Sequence, residues 1–295
     1  MSTTPEASPQ DPLLGQTLHE TYVIDKLLGA GGMGAVYKAR HVRLPNKHFA
    51  VKVLHAAMAQ NADVFGRFRR EAEITSSLQH PHIVQVVDFN QIPGGAYYLV
   101  MEFLRGEDLA ARLARVGRLS VAETLALCHQ VGSALQAAHE SGVVHRDLKP
   151  QNIFLVQSND LGRATDLVKV VDFGISKIRN PDIGAGPATT DGTLLGTPSY
   201  MSPEQAAGRV KDIDGRTDQY ALGVIVYEML SGRVAFMPEG NEGLTGVLIR
   251  VVTQPAPPLQ LLRPDLPLPI LQAVGRAMAK NPAERFSSVM EFLQA

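Results

Sequence analysis

The segment "VVHRDLKPQN", residues 143–152, concentrates polar functional groups directly after an apolar stretch. The carboxylate of Asp147 could accept a proton, the ammonium of Lys149 could stabilise phosphoryl oxygens, and the amide oxygen of Asn152 could bind a metal ion. Because Mg²⁺ takes hard oxygen ligands, a second acid is expected, and "VKVVDFG" provides Asp172 at the end of an apolar run. In isolation, Asp-Phe-Gly would be an ordinary strand-end turn. The closeness of Asp172 in sequence to Asp147 and Asn152 favours a site that binds a metal ion over a plain turn.

Three glycines, Gly29, Gly31 and Gly34, have a G-x-G-x-x-G spacing within "LLGAGGMGAVYKA". This spacing alone is compatible with a dinucleotide site, an ATP site or a plain tight turn. A dinucleotide site requires a helix directly after the glycines and an acid about twenty residues further on. The residues that follow are instead β-branched and aromatic, and the run "FAVKVL" offers Lys52 in place of an acid. The sequence therefore predicts a strand–loop–strand flap over phosphates.

A valine two residues past the last glycine, Val36, and the strand-borne Lys52 complete the flap pattern. A lysine inside an apolar strand is costly to bury unless a carboxylate pairs with it. The helical segment "RFRREAEI" carries two possible partners, Glu71 and Glu73, and the residues alone leave both open. The flap before Lys52 and the helix acid after it favour a phosphate-binding lysine over an ordinary solvent-facing one.

The composition limits the classes of protein to consider. A chain of 295 residues that is 45% hydrophobic indicates one large folded domain or two lobes. The formal net charge of −1 gives no reason to expect nucleic acid or a membrane surface as a partner. The single cysteine, Cys128, lies in an apolar helical pattern and is expected to be a core thiol. No apolar run is long enough to predict a membrane-spanning helix.

Hydrophobic periodicity predicts a β-rich part followed by a helical part. Five strand-like runs, "TYVIDKLLG", "AVYKARHV", "HFAVKVL", "IVQVVDF" and "AYYLVME", surround one helix predicted over about 62–78. Further helices are predicted over 120–141, with one apolar stripe, and over 218–230, apolar nearly all round and therefore expected to be buried.

Turn-forming residues mark the segments that are expected to lack regular structure. The polar, Pro-rich residues 1–12 are predicted to be a disordered lead-in. The stretches "QSNDLGRATD" (157–166) and "NPDIGAGPATTDGT" (180–193) are predicted to be mobile, and the first is longer than a connection needs.

The motifs occur along the chain in the order G-x-G-x-x-G-x-V, A-V-K, a helix Glu, H-R-D-L-K-P-x-N, D-F-G and G-T-x-x-Y-x-x-P-E. From about Thr21 to Gln294 the chain thus resembles the protein kinase superfamily, and specifically the eukaryotic-like Ser/Thr kinases of bacteria. The resemblance implies an α+β, bilobal kinase fold. Its N-terminal lobe would be an antiparallel five-stranded β lobe with one helix, and its larger C-terminal lobe would be mainly helical. The implied boundaries are about 13–102 for the N-lobe, 102–106 for a hinge and 107–295 for the C-lobe.

The resemblance also implies a role for each matching residue. Asp147 would orient the substrate hydroxyl and accept its proton, Lys149 would stabilise the transferring phosphoryl group, and Lys52 would hold the α- and β-phosphates. The motif spacing then selects Glu71, rather than its neighbour, to position the lysine. The implied ATP-binding set is Gly29, Ala30, Gly31, Gly34, Val36, Ala50, Lys52, Glu71, Met101, Glu102 and Leu104. The implied ligands of Mg²⁺, or of Mn²⁺ in its place, are Asn152 and Asp172.

Three further residues would be structural in a kinase of this kind. Asp218 would brace the catalytic loop, and Glu204 would pair with Arg285 to anchor the substrate-docking segment. Ser202 stands where the family usually has Ala, a small change that does not count against activity. Thr75, one turn after the helix acid, replaces a larger apolar residue of many relatives and leaves open how firmly that helix is held.

The sequence "GTPSYMSPE", together with the lysine of "RDLKPQN", resembles the Ser/Thr class, with Thr197 contacting the catalytic loop. Arg146 beside a Gly- and Thr-rich loop suggests control by loop phosphorylation, because a phosphate can order such a loop against an arginine. The candidates for autophosphorylation are Thr189, Thr190 and Thr193. For each of them a plain solvated loop threonine is the alternative.

The resemblance therefore predicts an ATP- and Mg²⁺-dependent kinase acting on Ser/Thr hydroxyls of proteins, with neither nucleic acid nor a membrane segment involved. A homodimer for trans-autophosphorylation and a cytoplasmic location, in this form or as part of a longer membrane-anchored protein, are further expectations. The alternative is a pseudokinase or scaffold, but such proteins usually lack one of the key Lys or Asp residues, and all are present here.

Overall fold

Antiparallel strands build the first of the two units into which the chain divides. The first unit contains the chain up to Ser76 together with Gln85–Leu104, and the second contains Ser77–Val84 together with Arg105–Ala295. The computed structural model describes residues 11–31, 34–55, 62–92, 95–158, 165–173, 198–240 and 242–295.

The sheet of the first unit has six strands in the order β1-β2-β3-β4-β6-β5 within the described residues. The strands are β1 Thr17–Leu18, β2 Tyr22–Ala30, β3 Gly34–His41, β4 His48–Leu54, β5 Val86–Gln91 and β6 Tyr97–Glu102. The sequence predicted five of them. The additional strand is β1, which folds back on β2 after a turn in which His19 and Glu20 have φ values of 45° and 53°. Two residues are too few to produce an alternating pattern, so hydrophobic periodicity could not predict this strand.

Alternation along the strands separates the two faces of this sheet. One face carries the core of the unit, formed by Leu18, Tyr22, Ile24, Ala35, Tyr37, Ala39, Phe49, Val51, Val53, Tyr98 and Val100. The intervening residues of β3, β4 and β6 therefore point to the other face. The unit's helix, α1, spans Ala62–Ser77, close to the predicted range.

Asp11 and Pro12 have a defined structure, although the sequence predicted disorder through residue 12. Asp11 belongs to the predicted lead-in, but its Oδ2 accepts a hydrogen bond of 2.8 Å from the hydroxyl of Tyr37 on β3. Its Oδ1 accepts the N–H of Leu13 at 3.0 Å, and Leu13 packs against the core. The predicted disorder therefore extends too far, by Asp11 and Pro12, and residues 1–10 lie outside the described residues.

The second unit combines a small sheet with helices. Its strands, in the order β7-β8-β9, are β7 Gly106–Asp108, β8 Ile153–Ser158 and β9 Thr165–Val170. Its helices are α2 Leu109–Val116, α3 Val121–Glu140, α4 Pro203–Ala206, α5 Gly215–Ser231, α6 Gly243–Thr253, α7 Leu259–Leu262, α8 Leu268–Ala277 and α9 Val289–Gln294.

Two of these helices have the burial that their periodicity predicts. α5 is buried on nearly all sides, from Thr217 to Leu230. α3 begins at a capping box, in which the Ser120 side chain and the Glu123 side chain each bond the other residue's backbone N–H. Cys128 on α3 is 2% exposed, and burial raises the pKa of its thiol to about 12, as expected of an unreactive core thiol. No helix among the described ranges is long and apolar enough to cross a membrane.

The hairpin of β8 and β9 corrects one prediction of mobility. Within the stretch 157–166, Gln157 pairs with Asp166 and Ser158 pairs with Thr165, so its ends are strand residues. Arg112 of α2 fixes this part of the hairpin by binding both carboxylate oxygens of Asp166, at 2.9 and 3.2 Å. The ion pair explains why turn-forming residues are ordered here, and residues 159–164 lie outside the described part.

Candidate active site

The glycine segment joins β2 and β3 as strand, turn and strand, with Gly29 opposite Val36 in the ladder. The turn is closed by the N–H of Gly31, which bonds the Gly34 carbonyl at 2.8 Å, and by the reverse bond at 3.3 Å. A strand, and not a helix, follows the glycines. This is the geometry of a flap. It excludes a dinucleotide site, because such a site depends on a helix N-terminus directly after the glycines.

Packing within the protein requires only one of these three glycines. A Cβ added at Gly34 would collide with the carbonyl oxygen of Val53 on the paired strand. A Cβ added at Gly29 would meet nothing within 4 Å, and one at Gly31 would meet only the Gly34 carbonyl at 3.9 Å. The space above Gly29 and Gly31 is thus open room that a side chain would partly fill, which fits close approach of a bulky anion.

Four residues predicted to contact a nucleotide share the face of the sheet opposite the core. The register pairs Val36 with Lys52, and Ala50 with Met101. Met101 is buried, at 8% exposure, whereas the other three are partly accessible. The sequence placed these residues together from motif positions, and the strand register provides the physical reason.

Lys52 on β4 forms an ion pair with Glu71 of α1, with Nζ 3.0 Å from Oε1. The side chains are 21% and 7% exposed, so the pair is largely removed from water. Glu73 instead binds Arg69 on the exposed side of the same helix, at 2.8 Å. The structure thus distinguishes the two acids that the residues alone had left open, and it resolves the problem of a lysine in an apolar strand.

The remaining predicted residues of this unit lie at the ends of its strands and on α1. Ala30 ends β2, Glu102 ends β6 and Leu104 is the last residue of the unit. The Glu102 carboxylate accepts the N–H of Gln85 at 2.8 Å, and its own N–H bonds the Gln85 carbonyl at 3.0 Å. Thr75 is buried, at 5% exposure, so this small side chain does occupy an interior position of α1.

In the second unit, the loop before β8 brings three predicted residues together. Lys149 Nζ lies 3.0 Å from Asp147 Oδ2, and both side chains are about one-fifth exposed, at 21% and 19%. The Asn152 side chain donates from Nδ2 to the Asp147 backbone carbonyl at 2.8 Å. This bond orients the amide, so that its oxygen is the atom able to bind a cation.

Asp218, the fourth residue of α5, holds the backbone that precedes Asp147. Its Oδ2 accepts the N–H of His145 at 2.8 Å, and its Oδ1 accepts the N–H of Arg146 at 2.9 Å. The ring of His139 on α3 lies 2.7 Å from the same Oδ2. With an exposure of 1%, Asp218 is a buried carboxylate whose oxygens accept hydrogen bonds from the loop that carries Asp147.

The buried ring of His145 links the loop to the residues after β9. Its Nδ1 accepts the N–H of Asp147 at 3.2 Å, so Nε2 carries the proton that is donated to the Val171 carbonyl at 3.2 Å. Burial lowers the pKa of His145 below its ordinary value, although Asp218 and Asp147 act in the opposite direction. The ring is therefore neutral and acts as a bridge between the two segments.

Asp172 follows the end of β9, and Asn152 precedes the start of β8. Ile153 pairs with Val170, and the N–H of Val171 bonds the Asn152 carbonyl at 2.9 Å, so the two predicted metal ligands lie at the same end of the hairpin. Asp172 has a φ of 53°, a left-handed conformation that Asp tolerates better than most residues. A carboxylate and an amide oxygen at one strand end are a donor set suited to Mg²⁺.

Glu204 and Arg285 form a bidentate ion pair with both side chains 0% exposed. The two guanidinium nitrogens lie 2.9 Å from the two carboxylate oxygens, and the Thr217 hydroxyl donates to the same carboxylate at 2.8 Å. Burial acts to raise the pKa of Glu204, but the hydrogen bonds and charge of Arg285 outweigh it and hold the pKa below its ordinary value. The carboxylate is therefore ionised and fully paired.

Four predicted regulatory residues, Thr189, Thr190, Thr193 and Thr197, lie outside the described residues. Arg146 is described, and its φ of 65° is left-handed.

A family model described as "Protein kinase domain" matches residues 22–294. The chain belongs to the protein kinase family. It is 41% identical to the serine/threonine-protein kinase Pkn1 of Myxococcus xanthus over 99% of its length. It is 39% identical to PknA of Mycobacterium tuberculosis over 96% of its length. The crystal structure of the Mycobacterium tuberculosis PknI kinase domain matches with a TM-score of 0.70 at 32% identity, covering 95% of this chain and 96% of that one.

These matches confirm the predicted family and the bilobal kinase fold, with a β-rich N-lobe and a helical C-lobe. The chain spans 40% of the length of Pkn1 and 62% of the length of PknA. The match thus covers the kinase domain of relatives that are themselves considerably longer.

Sequence reasoning assigned no role to several residues that hold the kinase domain's catalytic loop. His145 is one of several polar residues in the segment 143–152, and its bridging position depends on the fold. His139 is the last residue but one of α3, and nothing in "AAHE" indicates a contact with a residue 79 positions later. A glycine gives the one indirect signal, because a Cβ at Gly215 would lie 2.8 Å from the His139 ring.

Proposed function

We propose that this kinase domain transfers the γ-phosphoryl group of ATP to Ser or Thr hydroxyls of proteins. Family membership and the serine/threonine kinases among the relatives support the reaction class. The observation that carries the proposal is the Asp147–Lys149 pair, 3.0 Å apart on a loop whose backbone is fixed by buried side chains. Such a pair provides a proton acceptor beside a cation, which is what phosphoryl transfer to a hydroxyl requires.

In this proposal the first unit binds the nucleotide. Lys52, oriented by Glu71, would contact the α- and β-phosphates, and the glycine turn would cover the phosphates through its backbone. The open space over Gly29 and Gly31 supports that assignment. The adenine would contact the face of the sheet opposite the core through Val36, Ala50 and Met101. It would also contact Glu102, at the end of β6, and Leu104, which follows that strand.

The second unit would carry out the chemistry. Asp147 would orient the substrate hydroxyl and take its proton, while Lys149 would stabilise the charge on the transferring oxygens. Asn152 and Asp172 would hold Mg²⁺ through an amide and a carboxylate oxygen. The bound Mg²⁺–ATP supplies the phosphoryl group and neutralises part of the charge that develops on it. Glu204 and Arg285 would act structurally, because they are fully buried and bind each other.

Control by autophosphorylation is part of the proposal. A phosphate on Thr189, Thr190 or Thr193 would bring a charge of about −1.5 to −2 that can bind the guanidinium of Arg146. Thr197 would contact the catalytic loop and favour Ser/Thr substrates. Mass spectrometry after incubation with Mg²⁺–ATP should find phosphate between residues 175 and 197. Absence of phosphate there would refute the regulatory part, and a rate per molecule that rises with protein concentration would indicate reaction between copies.

The experiment for the main proposal is transfer of label from γ-labelled ATP to a generic basic protein. Wild type should transfer label, whereas Lys52→Ala and Asp147→Asn should lose activity by factors of about 10²–10⁴. The Asp147→Asn variant should still bind ATP, because the change lies outside the proposed nucleotide contacts. An inactive wild type that binds ATP would instead support a pseudokinase. An Asp147→Asn variant with more than about a tenth of wild-type activity would refute the role of that residue.

A further inference from the structure

Arg146 has an unusual backbone conformation, and side chains bond the peptide group that joins it to Asp147. Arg146 has a φ of 65°, in the left-handed region that non-glycine residues seldom occupy. Such a conformation persists only where surrounding contacts determine it. The orientation of this peptide sets where the Asp147 side chain begins, so whatever fixes the peptide also fixes the proposed proton acceptor.

Three side chains hold the backbone on both sides of this residue. Asp218 accepts the N–H of Arg146 at 2.9 Å, and His145 Nδ1 accepts the N–H of Asp147 at 3.2 Å. The carbonyl oxygen of Arg146 accepts a hydrogen bond of 2.7 Å from Nε2 of Gln205. The peptide between Arg146 and Asp147 is therefore bonded at its oxygen and at its N–H, which prevents it from rotating.

Gln205 is itself fixed by the segment that carries it. It is the third residue of α4, and its Oε1 accepts the N–H of Ser202 at 3.1 Å while the Ser202 hydroxyl accepts the N–H of Gln205 at 3.3 Å. Because Oε1 is used as the acceptor in this capping box, Nε2 must be the end that faces the Arg146 carbonyl. The amide therefore has one orientation, with a donor directed at the strained peptide.

We infer that Gln205 is a positioning residue for Asp147, acting through the hydrogen bond to the Arg146 carbonyl. This inference rests on the proposed kinase function. The Gln205 hydrogen bond also joins α4 to the loop that bears the proton acceptor, and Gln205 directly follows Glu204, which is fixed by its buried pair with Arg285. An ordered α4 segment and a correctly oriented Asp147 thus depend on the same bond.

The test compares Gln205→Glu with Gln205→Met, using the γ-labelled ATP assay and a generic basic protein from pH 5 to 8. Above its pKa, the introduced carboxylate can only accept hydrogen bonds and would repel the Arg146 carbonyl. Once protonated, it can again donate to that oxygen while its other oxygen caps Ser202. Half-burial and the facing carbonyl should raise its pKa above the ordinary value of about 4.3.

At pH 8, kcat should fall about 10-fold in Gln205→Met, and further in Gln205→Glu, with little change in KM for ATP. The ratio of Gln205→Glu to wild-type kcat at equal pH should rise as the pH falls, while the ratio for Gln205→Met stays constant. Exposed Gln260 provides a matched control, because Gln260→Glu makes the same chemical change on the surface and should follow wild type at every pH. Circular dichroism of the same samples monitors folding.

Each outcome separates the inference from the proposed function. A wild type without transferase activity would refute the proposed function. An active wild type with both Gln205 variants within twofold of it would overturn the inference. A low Gln205→Glu activity whose ratio to wild type does not change with pH would also overturn it, because a general loss of structure would not respond to protonation of one side chain.

Discussion

Replacing Arg285 with Ala should destabilise the second unit strongly, because this guanidinium is the partner of a buried carboxylate. Arg285 binds both oxygens of Glu204 at 2.9 Å, with both side chains 0% exposed. It also donates to the carbonyls of Ala279 and Arg216 at 2.9 Å each. The change would leave Glu204 with the Thr217 hydroxyl as its remaining side-chain donor among the described residues.

Removing one partner of a buried pair typically costs about 3–5 kcal/mol, against a total stability of about 5–15 kcal/mol. We therefore expect the free energy of unfolding of Arg285→Ala to fall by about 3–5 kcal/mol at pH 7. The Glu204→Gln/Arg285→Met double variant, which removes both charges, should recover a large part of the loss. As a surface control, Arg209→Ala breaks a 3.7 Å pair with Asp212 in which both side chains are 50% exposed. Its cost should stay below about 1 kcal/mol.

The assay is urea unfolding followed by far-ultraviolet circular dichroism, because the chain contains no tryptophan. The pH dependence provides a second criterion. In wild type the lowered pKa of Glu204 contributes stability that is present above the unfolded pKa and lost as the pH falls through the folded pKa. In Arg285→Ala, burial without the guanidinium should raise that pKa, so the difference from wild type should grow from pH 4 to 7. A loss below about 1 kcal/mol at pH 7, or one independent of pH, would refute this reasoning.

Three further outcomes test other parts of the structure. Gly34→Ala should destabilise the first unit by about 1–3 kcal/mol in urea unfolding, because its Cβ meets a strand carbonyl, whereas Gly29→Ala should leave stability unchanged and raise KM for ATP. Glu71→Gln should lower kcat/KM for ATP about 10-fold, whereas Glu73→Gln on the exposed side of the helix should leave it unchanged. Burial lowers the pKa of Lys280 from 10.5 to about 8, so wild-type stability should rise between pH 8 and 10. That rise should be absent in Lys280→Met, and equal slopes in the two proteins would contradict the assignment.

Local sequence patterns predicted those parts of the fold whose signals repeat over many residues. The apolar stripe of α3 and the all-round apolarity of α5 extend over several turns, so each helix appears within a few residues of its predicted range. The two-residue strand β1 has no room for a repeating pattern. The ends of the stretch 157–166 contain turn-forming residues but pair as strands, because Arg112, 54 residues from Asp166, holds them. A contact across that separation leaves no signal in either local segment.

In the candidate site, too, some features follow from sequence patterns and others depend on contacts between distant residues. Motif spacing placed Val36, Ala50, Lys52 and Met101 in one group, and the register of β3, β4 and β6 places them on one face. The choice between Glu71 and Glu73, which are two residues apart, could not be made from burial patterns alone, since both lie on the same helix. Motif spacing selected Glu71, and the position of α1 relative to β4 gives the physical reason, because it brings Glu71 within 3.0 Å of the lysine.

Backbone strain was the feature of the site least accessible from sequence. Arg146 and Asp172 both have left-handed φ values, 65° and 53°. Such conformations cost of order 1–3 kcal/mol in a non-glycine residue, whereas glycine adopts them at almost no steric cost. The chain therefore accepts strain at two positions where a glycine would fold more easily. Asp218 and Gln205 bond the backbone N–H and carbonyl of Arg146, and His145 bonds the carbonyl of Val171, directly before Asp172. These contacts stabilise the strained backbone on which the proposed proton acceptor and the proposed metal ligand depend.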